Sequence, residues 1–238
     1  MKFDPKDMTP QDVYKVFIGS VLPRAIGWVS TISADNIANL APVSFFTVVS
    51  RQPAMVSLTL QPRSDGVTLK DTLVNIRETG QFVVNIVSLP QVNEMHKSSV
   101  EHPPEVDEFE VVGLDKLASD LVRAPRVAGA PITMECELER ITPIGEVGDH
   151  VVFGKVLRIH IRDDLWLEGG RIDTVALQAV GRMASEYTVA NTVFGAPVPP
   201  EVINDPSARE VRRLDGKPIG WSPMDQKGWS AAGNAKAD

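Results

Sequence analysis

Polar side chains able to bind a ligand are concentrated in the first third of the chain. Small hydroxyl and amide groups interrupt runs with the composition of buried strands, and three polar residues follow at the predicted start of a helix. A helix start offers unpaired backbone N–H groups and the positive end of the helix dipole, so it can hold a phosphate. These residues are Ser30, Thr31, Asn39, Ser44, Lys70, Asp71 and Thr72. The pattern predicts a pocket for a large, partly polar, phosphorylated ligand.

Each of these residues also has a structural interpretation that needs no ligand. Thr68 and Asp71 have the spacing of a capping box, and Lys70 would then be a solvated helix charge. Ser30 and Thr31 would form the polar face of an exposed strand. The ligand hypothesis is favoured because one short region contains all of them.

Several familiar catalytic and metal-binding patterns are missing from the sequence. It contains no GxGxxG, no GxxxxGKS/T and no GxSxG, which argues against a Rossmann site, a P-loop and a nucleophile elbow. The four histidines lack metal-ligand spacing, so we expect no metal site. Cys136, the single cysteine, points to the same side of its predicted strand as three apolar residues, so we expect it in the core.

Composition and charge restrict the partners and the compartment. The chain has 238 residues, 43% of them hydrophobic, with a net charge of −7 and a pI near 5.2. This composition suits one domain and argues against a nucleic-acid surface. The apolar runs are too short for a membrane span, and the first residues are too polar for a secretory signal peptide. We therefore predict a cytoplasmic protein that binds neither nucleic acid nor membrane.

The elements that must position the polar residues are mainly strands. Strand-like runs cover 26–60, 81–87 and 151–161. Residues 132–139 alternate without a fault, so one face is apolar and the other carries three glutamates. The total of about seven or more strands favours a barrel over a flat sheet.

The clearest helix is predicted over 68–79. Leu69, Leu73 and Ile76 fall on one face of it, and Gly80 ends it. This helix begins at the polar residues named first, so its start is the predicted anion site.

Composition divides the chain into a domain over residues 1–195 and a Pro/Gly-rich arm over 196–238. The arm has no periodicity but contains Trp221 and Trp229. Large aromatic side chains are costly to leave in water and often anchor interfaces. We therefore favour an arm that lies over the same or a partner subunit, with plain disorder as the alternative.

Three long runs carry a family resemblance. PRAIGWVSTIS, NLAPVSFFTVVSRQPAMVSLTLQPR and KDTLVNIRETGQFVVNIV closely resemble the flavin reductase-like family of FMN-binding split barrels, the group that includes flavoredoxin. VDEFEVVGL, APRV with APITMECELE, and GRMASEY also resemble that family. The resemblance covers about residues 15–190, in the expected order.

The resemblance implies a mainly β fold, a Greek-key-like split β-barrel with a few short helices and an extended C-terminal tail. It also implies an FMN site near the interface of a homodimer. Ser30 and Thr31 would touch the flavin from the first strand, and Asp71 would hold the helix start. The remaining residues implied at the cofactor are Asn39, Ala41, Pro42, Val43 and Ser44 at the ring and Arg63, Lys70 and Thr72 at the phosphate.

The resemblance also suggests a role for His150, which precedes a strand in the sequence Gly-Asp-His. Related short-chain flavin reductases have a histidine near the flavin at this place, so His150 would be the catalytic residue that meets the nicotinamide or the substrate. The alternative is a plain turn residue. Arg24, Arg182 and Tyr187 follow the family pattern, but their roles stay open between pocket lining and barrel packing.

The implied function is that of an FMN-dependent oxidoreductase. NADH or NADPH would give a hydride to FMN, and the electrons would pass to a small-molecule or protein acceptor. FMN would either stay bound or leave as a reduced product. The alternative from another class is a non-enzymatic FMN-binding electron carrier or sensor, because one fold hosts both kinds of protein.

Overall fold

Strands dominate this computed structural model, which describes residues 1–195, 211–213 and 216–219. The strands are β1 (Arg24–Ala25), β2 (Gly27–Ile32), β3 (Ala38–Val43), β4 (Phe46–Arg51), β5 (Ala54–Leu60), β6 (Gln81–Ile86), β7 (Lys116–Leu117), β8 (Arg126–Val127), β9 (Ile132–Ile144), β10 (Asp149–Ile161), β11 (Trp166–Leu167), β12 (Arg171–Ile172), β13 (Val180–Arg182), β14 (Tyr187–Val189), β15 (Phe194–Gly195) and β16 (Arg212–Arg213). The helices are α1 (Pro10–Ser20), α2 (Asp71–Thr79), α3 (Val92–Lys97), α4 (Glu108–Val112) and α5 (Thr174–Leu177), with 3-10 turns at Pro5–Asp7, Leu89–Gln91 and Asp163–Leu165.

Seven strands form one antiparallel sheet in the order β3-β2-β6-β9-β10-β5-β4. Its edges are β3 and β4, which are consecutive in the chain and separated only by Ser44 and Phe45. The edges must therefore meet at this corner, where the Thr59 N–H donates to the Phe45 carbonyl over 2.8 Å. The mainly β prediction is confirmed, but the sheet is not closed by pairing of β3 with β4 in the part of the chain described.

Helix α2 packs one face into the main hydrophobic core. Leu73 and Ile76 are buried there with residues of β2, β5, β6 and β10, and Leu69 packs against the same cluster. The helix ends at Gly80, whose φ of 69° is left-handed, as predicted. Cys136 also lies in this core, and burial raises the pKa of its thiol. Both predictions are confirmed.

The predicted start of this helix is wrong in one respect. The helix begins at Asp71 with Lys70 as its N-cap residue, and no side chain caps it. The Thr68 hydroxyl donates to Asp65 instead, and the Asp71 carboxylate pairs with Arg63. The capping box does not form because Asp71 pairs with Arg63, eight residues earlier in the chain, and Thr68 donates to Asp65, three residues earlier.

A second core cluster covers the opposite side of β2 and β3. Its buried members include Trp28 of β2, Met95 of α3 and Phe109 of α4, so α3 and α4 pack here. The Trp28 Nε1–H donates to the Ser98 Oγ over 2.9 Å, which fixes the end of α3 beside the sheet. Both α2 and α3 contact β3, each from its own core cluster.

One face of β9 differs from its prediction. Glu135 was expected on a polar face, yet it is fully buried. Its carboxylate accepts hydrogen bonds from the N–H groups of Asp120, Leu121 and Val122. Burial alone would raise the pKa of Glu135, but these hydrogen bonds and one with His160 outweigh it and lower this pKa.

The predicted arm falls mostly outside the described residues, and so do Trp221 and Trp229. Its described part includes β16, which pairs with β15 through Arg212–Arg213 and Phe194–Gly195. The boundary at residue 195 stays a prediction. Among the described helices, none combines the length and apolar character needed to cross a membrane.

Candidate functional site

Six of the predicted cofactor-binding residues line a cavity of about 320 Å³, which we call the central cavity. Its walls come from the β3–β4 corner, the end of β5, the start of α2, the end of α3 and the β13–β14 hairpin. Four of the predicted residues line it at that corner: Ala41, Pro42, Val43 and Ser44. Its size is that of a typical small-ligand site.

Strand β3 supplies this wall because it is an edge of the sheet. It pairs with β2 on one side only. On its free side the Leu40 N–H donates to Glu108 and Pro42 has no N–H, so this wall offers a ligand the Pro42 C=O group. The strand ends at Val43, and Ser44 follows at the corner where the two edges meet. The Arg24 Nε–H reaches the Ser44 Oγ at 3.5 Å.

A smaller cavity of about 90 Å³ continues from the central cavity past the start of α2. Both cavities are lined by Ala41, Pro42, Lys70 and Thr72, and the small cavity adds Asn39. The Asn39 amide donates to the Thr72 Oγ1 over 3.1 Å, so the proton of this hydroxyl is directed elsewhere. The two cavities form one elongated space with the helix start at its waist.

Arg63 lies in the wall of the small cavity with part of its guanidinium unsatisfied. One terminal nitrogen donates to the His102 carbonyl over 2.8 Å, and the other pairs with Asp71. Its Nε is buried and has no hydrogen-bond partner within the structure described. Asp71 is therefore placed to orient Arg63, which differs from its predicted role of holding the helix start.

Glu108 also lines the small cavity, although no sequence pattern selected it. It begins α4, is only 5% exposed, and accepts a hydrogen bond from the Leu40 N–H over 3.2 Å. Burial, opposed in part by this hydrogen bond and reinforced by Asp71 and Asp107, raises its pKa to about 7. The small cavity thus contains a carboxyl group that titrates near neutrality.

The opposite wall of the central cavity is built by His96, Arg182 and Tyr187. The His96 Nδ1 and the Tyr187 hydroxyl are hydrogen-bonded at 2.9 Å. The Arg182 guanidinium lies 4.6 Å from the centre of the Tyr187 ring. Arg182 and Tyr187 both line the cavity, and Tyr187 also packs against the second core cluster, whereas His96 was not predicted.

Ser30 and Thr31 do not line either cavity. Both are fully buried. The Ser30 hydroxyl donates to the Pro125 carbonyl and accepts from Asn85, while the Thr31 hydroxyl accepts from Asn75 over 3.0 Å. Their side chains join β2 to neighbouring elements, so the position of these residues does not support the predicted flavin contact.

His150 and Arg24 also lie apart from the cavity walls described above. The His150 Nδ1 lies 2.8 Å from the Gly148 carbonyl, in the turn that leads into β10. Arg24 is buried and donates to the carbonyls of Ile18 and Met183 over 2.6 and 2.8 Å, and burial lowers its pKa. Arg24 therefore ties α1 to the β13–β14 hairpin. His150 lines neither the central nor the small cavity.

One cluster outside these cavities has donor atoms close enough for a metal ion: Asp120, Glu135 and His160. The Glu135 oxygens already accept from backbone N–H groups and from His160, and Asp120 pairs with Arg158. Because these oxygens already have donors, we assign the cluster a structural role.

Comparisons with known proteins bear on the family and the fold of this chain. The model of the flavin reductase like domain matches residues 18–175. A protein of Aquifex aeolicus is 40% identical over 189 residues, which are 79% of this chain and 95% of that protein. The structure of nitrilotriacetate monooxygenase component B from Bacillus cereus is 31% identical, with a TM-score of 0.78 over 82% of this chain and 98% of that one.

The fold is also that of a solved split barrel. A putative flavin reductase with a split barrel domain from Shewanella frigidimarina superposes with a TM-score of 0.73 at 19% identity, over 84% of this chain and all of that one. This likeness bears on the fold alone. The split-barrel prediction is confirmed.

Proposed function

Because this chain belongs to the flavin reductase-like family, we propose that it is an FMN-dependent reductase. It takes a hydride from NADH or NADPH and passes the electrons to an acceptor. The likeness to a monooxygenase component supports an oxidoreductase role. The site geometry supports FMN as the flavin.

The observation that carries this proposal is the set of donors at the start of α2. The Lys70 ammonium has no ion-pair partner among the residues described, and the Arg63 Nε is buried without an acceptor. The Thr72 hydroxyl proton and the uncapped N–H groups of the first helical turn lie beside them. A phosphate dianion needs such cations, hydroxyls and helix N–H groups together.

The elongated space suits a ligand with a phosphate at one end and a ring system at the other. The phosphate would occupy the waist and the small cavity, and the ring would occupy the central cavity along residues 41–44. When bound, FMN would supply the hydride and electron chemistry. The Ser44 hydroxyl, which accepts from the Arg24 Nε–H and so directs its proton elsewhere, would orient the ring and stabilise negative charge on it.

Residues in the walls would take the remaining roles. Asp71 would orient Arg63, Asn39 would orient the Thr72 hydroxyl, and the His96–Tyr187 pair would exclude water from one side of the ring. His150 keeps its predicted role at the nicotinamide only as an untested expectation, because it is not a wall residue of either cavity.

We also propose that the chain forms a homodimer through the face made by α1 and β4. This face exposes Phe17, Val21, Val48 and Val49, with exposed fractions of 45–68%. Strand β4 is a sheet edge, and a groove lined by Phe17, Val21 and Phe46 joins it to α1. Exposed apolar side chains beside an unpaired edge are typical of a subunit interface.

Two measurements test the proposed function. Titration of the purified protein with FMN should perturb the visible spectrum of the flavin and saturate at one FMN per chain. Oxidation of NADH or NADPH should then rise with FMN occupancy. A protein that leaves the FMN spectrum unchanged at every concentration would contradict the proposal.

A further inference from the structure

A third cavity, of about 380 Å³, lies outside the proposed FMN site, and we call it the lateral cavity. It is formed where the 3-10 turn at Leu89–Gln91 and α3 face β13 and β14. Its main lining residues are Leu89, Val92, His96, Val180, Tyr187 and Val189. The aliphatic walls and the volume are those of a site for a small apolar molecule.

The lateral cavity shares one wall with the central cavity. His96 and Tyr187 line both cavities, and their rings meet edge to face at an interplanar angle of 79°. The His96 Nδ1 is engaged with the Tyr187 hydroxyl, which leaves Nε2 available to another molecule. The side chains of His96 and Tyr187 therefore form a polar wall, which we call the partition, between the central cavity and the apolar lateral cavity.

The charge of the walls restricts what the lateral cavity can hold. The lining residues described include no lysine or arginine. A nicotinamide dinucleotide has phosphates that would lose their hydration here without gaining a cation. An uncharged molecule with one or two rings would bury apolar area against the valines and Leu89 and could hydrogen-bond at the partition.

We propose that the lateral cavity binds the electron acceptor, and that this acceptor is an uncharged organic molecule of one or two rings. The proposal rests on the proposed function, because the side chains of His96 and Tyr187 would be the wall between such a molecule and the ring of bound FMN. For a quinone acceptor, the reduced cofactor would give up two electrons and two protons, and the quinone would become the hydroquinone.

The first test measures binding without turnover. The full-length protein, with and without FMN, is titrated calorimetrically with 2-naphthol, an uncharged two-ring probe. Leu89→Asp places a carboxylate in the apolar wall, and Leu117→Asp is its matched control, because the two leucines are 44% and 43% exposed and only Leu89 lines the cavity.

We expect 2-naphthol to bind both forms of the protein, and Leu89→Asp to weaken this binding by at least about tenfold, because an ionised group disfavours an apolar ligand beside it. Leu117→Asp should bind the probe like the parent protein, and both variants should bind FMN normally. Absence of 2-naphthol binding, or equal binding by Leu89→Asp and the parent protein, would overturn the proposal.

A second test separates this inference from the proposed function. Chemically reduced, FMN-loaded protein is mixed without oxygen with 1,4-naphthoquinone or with hexacyanoferrate(III), a charged acceptor that needs no apolar site. Leu89→Asp should raise the quinone concentration for half-maximal reoxidation by at least about tenfold and leave reoxidation by hexacyanoferrate unchanged. An equal effect on both acceptors would overturn the lateral site. Failure to bind FMN would overturn the proposed function, while 2-naphthol binding would still test the cavity.

Discussion

At the start of α2, Arg63 and Thr72 are held in place by hydrogen bonds to other residues and still have donor groups left for a ligand. The His102 carbonyl and Asp71 each take one N–H of a terminal nitrogen of Arg63, and its Nε–H has no partner among the described residues. Asn39 occupies an acceptor position of Thr72 in the same way. Such pre-oriented groups bind an anion at a lower cost in conformational entropy than free side chains would.

Replacement of Lys70 should weaken the binding of the FMN phosphate and leave the binding of the flavin ring unchanged. We expect Lys70→Ala to weaken FMN binding by roughly 10- to 100-fold, the usual effect of losing a charge-assisted hydrogen bond. Riboflavin, which lacks the phosphate, should bind the variant and the parent protein equally. Fluorescence titration with both flavins measures this.

The matched control is Lys155→Ala, since Lys155 pairs with Glu137 on β10 and β9 and lines neither the central nor the small cavity. It should bind FMN like the parent protein. An equal loss of riboflavin and FMN affinity in Lys70→Ala would show that Lys70 shapes the ring site and does not bind the phosphate.

Glu108 should make the stability of the fold depend on pH. Its pKa rises from the ordinary 4.5 in the unfolded chain to about 7 in the folded protein. The folded state therefore favours the protonated form, and this contribution is fully present below 4.5 and is lost as the pH rises through about 7. Glu108→Gln should match the parent protein in acid.

Above pH 7 the Glu108→Gln variant should be the more stable protein, by on the order of 3 kcal/mol. Urea unfolding across this pH range measures the difference, and the amide still offers an oxygen to the Leu40 N–H. A constant difference between the two proteins at all pH values would show that Glu108 does not titrate in this window.

At the scale of elements, the site depends on an edge strand and an uncapped helix placed side by side. The sequence predicted a strand and a helix here, because the apolar period of α2 and the end signal at Gly80 are local. It predicted neither the free edge of β3 nor the missing helix cap. The residues from Ala41 to Ser44 and from Lys70 to Thr72, predicted to bind the cofactor, line the two cavities, and their contact with a cofactor stays a prediction.

Other assignments required knowledge of distant partners. Ser30 and Thr31 are adjacent in a strand and so point to opposite faces, where Asn85 and Asn75 satisfy them from β6 and α2. Glu135 is buried because the loop before it folds three N–H groups over its carboxylate. No local sequence pattern predicts such contacts, and none predicts that His96 lines the central cavity.

The packing of β10 against β6 gives a prediction at this scale. Gly154 is buried, and a Cβ there would collide with the aromatic ring of Phe82. We expect Gly154→Ala to lower the free energy of unfolding by about 1–3 kcal/mol, as overpacking in a full core usually does. Chemical denaturation measures it.

Gly19→Ala is the control for this change. Gly19 lies within α1, and a Cβ there would meet no atom within 4 Å. This variant should be unchanged or more stable by up to about 1 kcal/mol, since alanine favours helix. If Gly154→Ala were as stable as Gly19→Ala, the core between β6 and β10 would be looser than its geometry indicates.

At the scale of the whole molecule, the open sheet leaves β4 as an exposed edge beside the apolar face of α1. Closure of the barrel would have removed this edge, and the expectation of closure failed because strand number alone does not fix whether the last pair of edges bonds. A second copy of the chain would cover the edge and the apolar side chains together.

A charge on this face should separate the subunits. Val48 is 68% exposed on β4, and we expect Val48→Glu to shift the protein from dimer to monomer in light scattering after size exclusion. Val111→Glu, at a similarly exposed valine on α4, should stay dimeric. A parent protein that is monomeric at all concentrations would refute the proposed interface.

The most direct test of the proposed reductase is the visible spectrum of the FMN-loaded protein without oxygen, recorded as NADH and then NADPH is added. We predict that at least one of the two nicotinamides bleaches the flavin band in proportion to the amount added. A band that dithionite bleaches but neither nicotinamide changes would contradict this account and would identify the protein as an electron carrier or sensor.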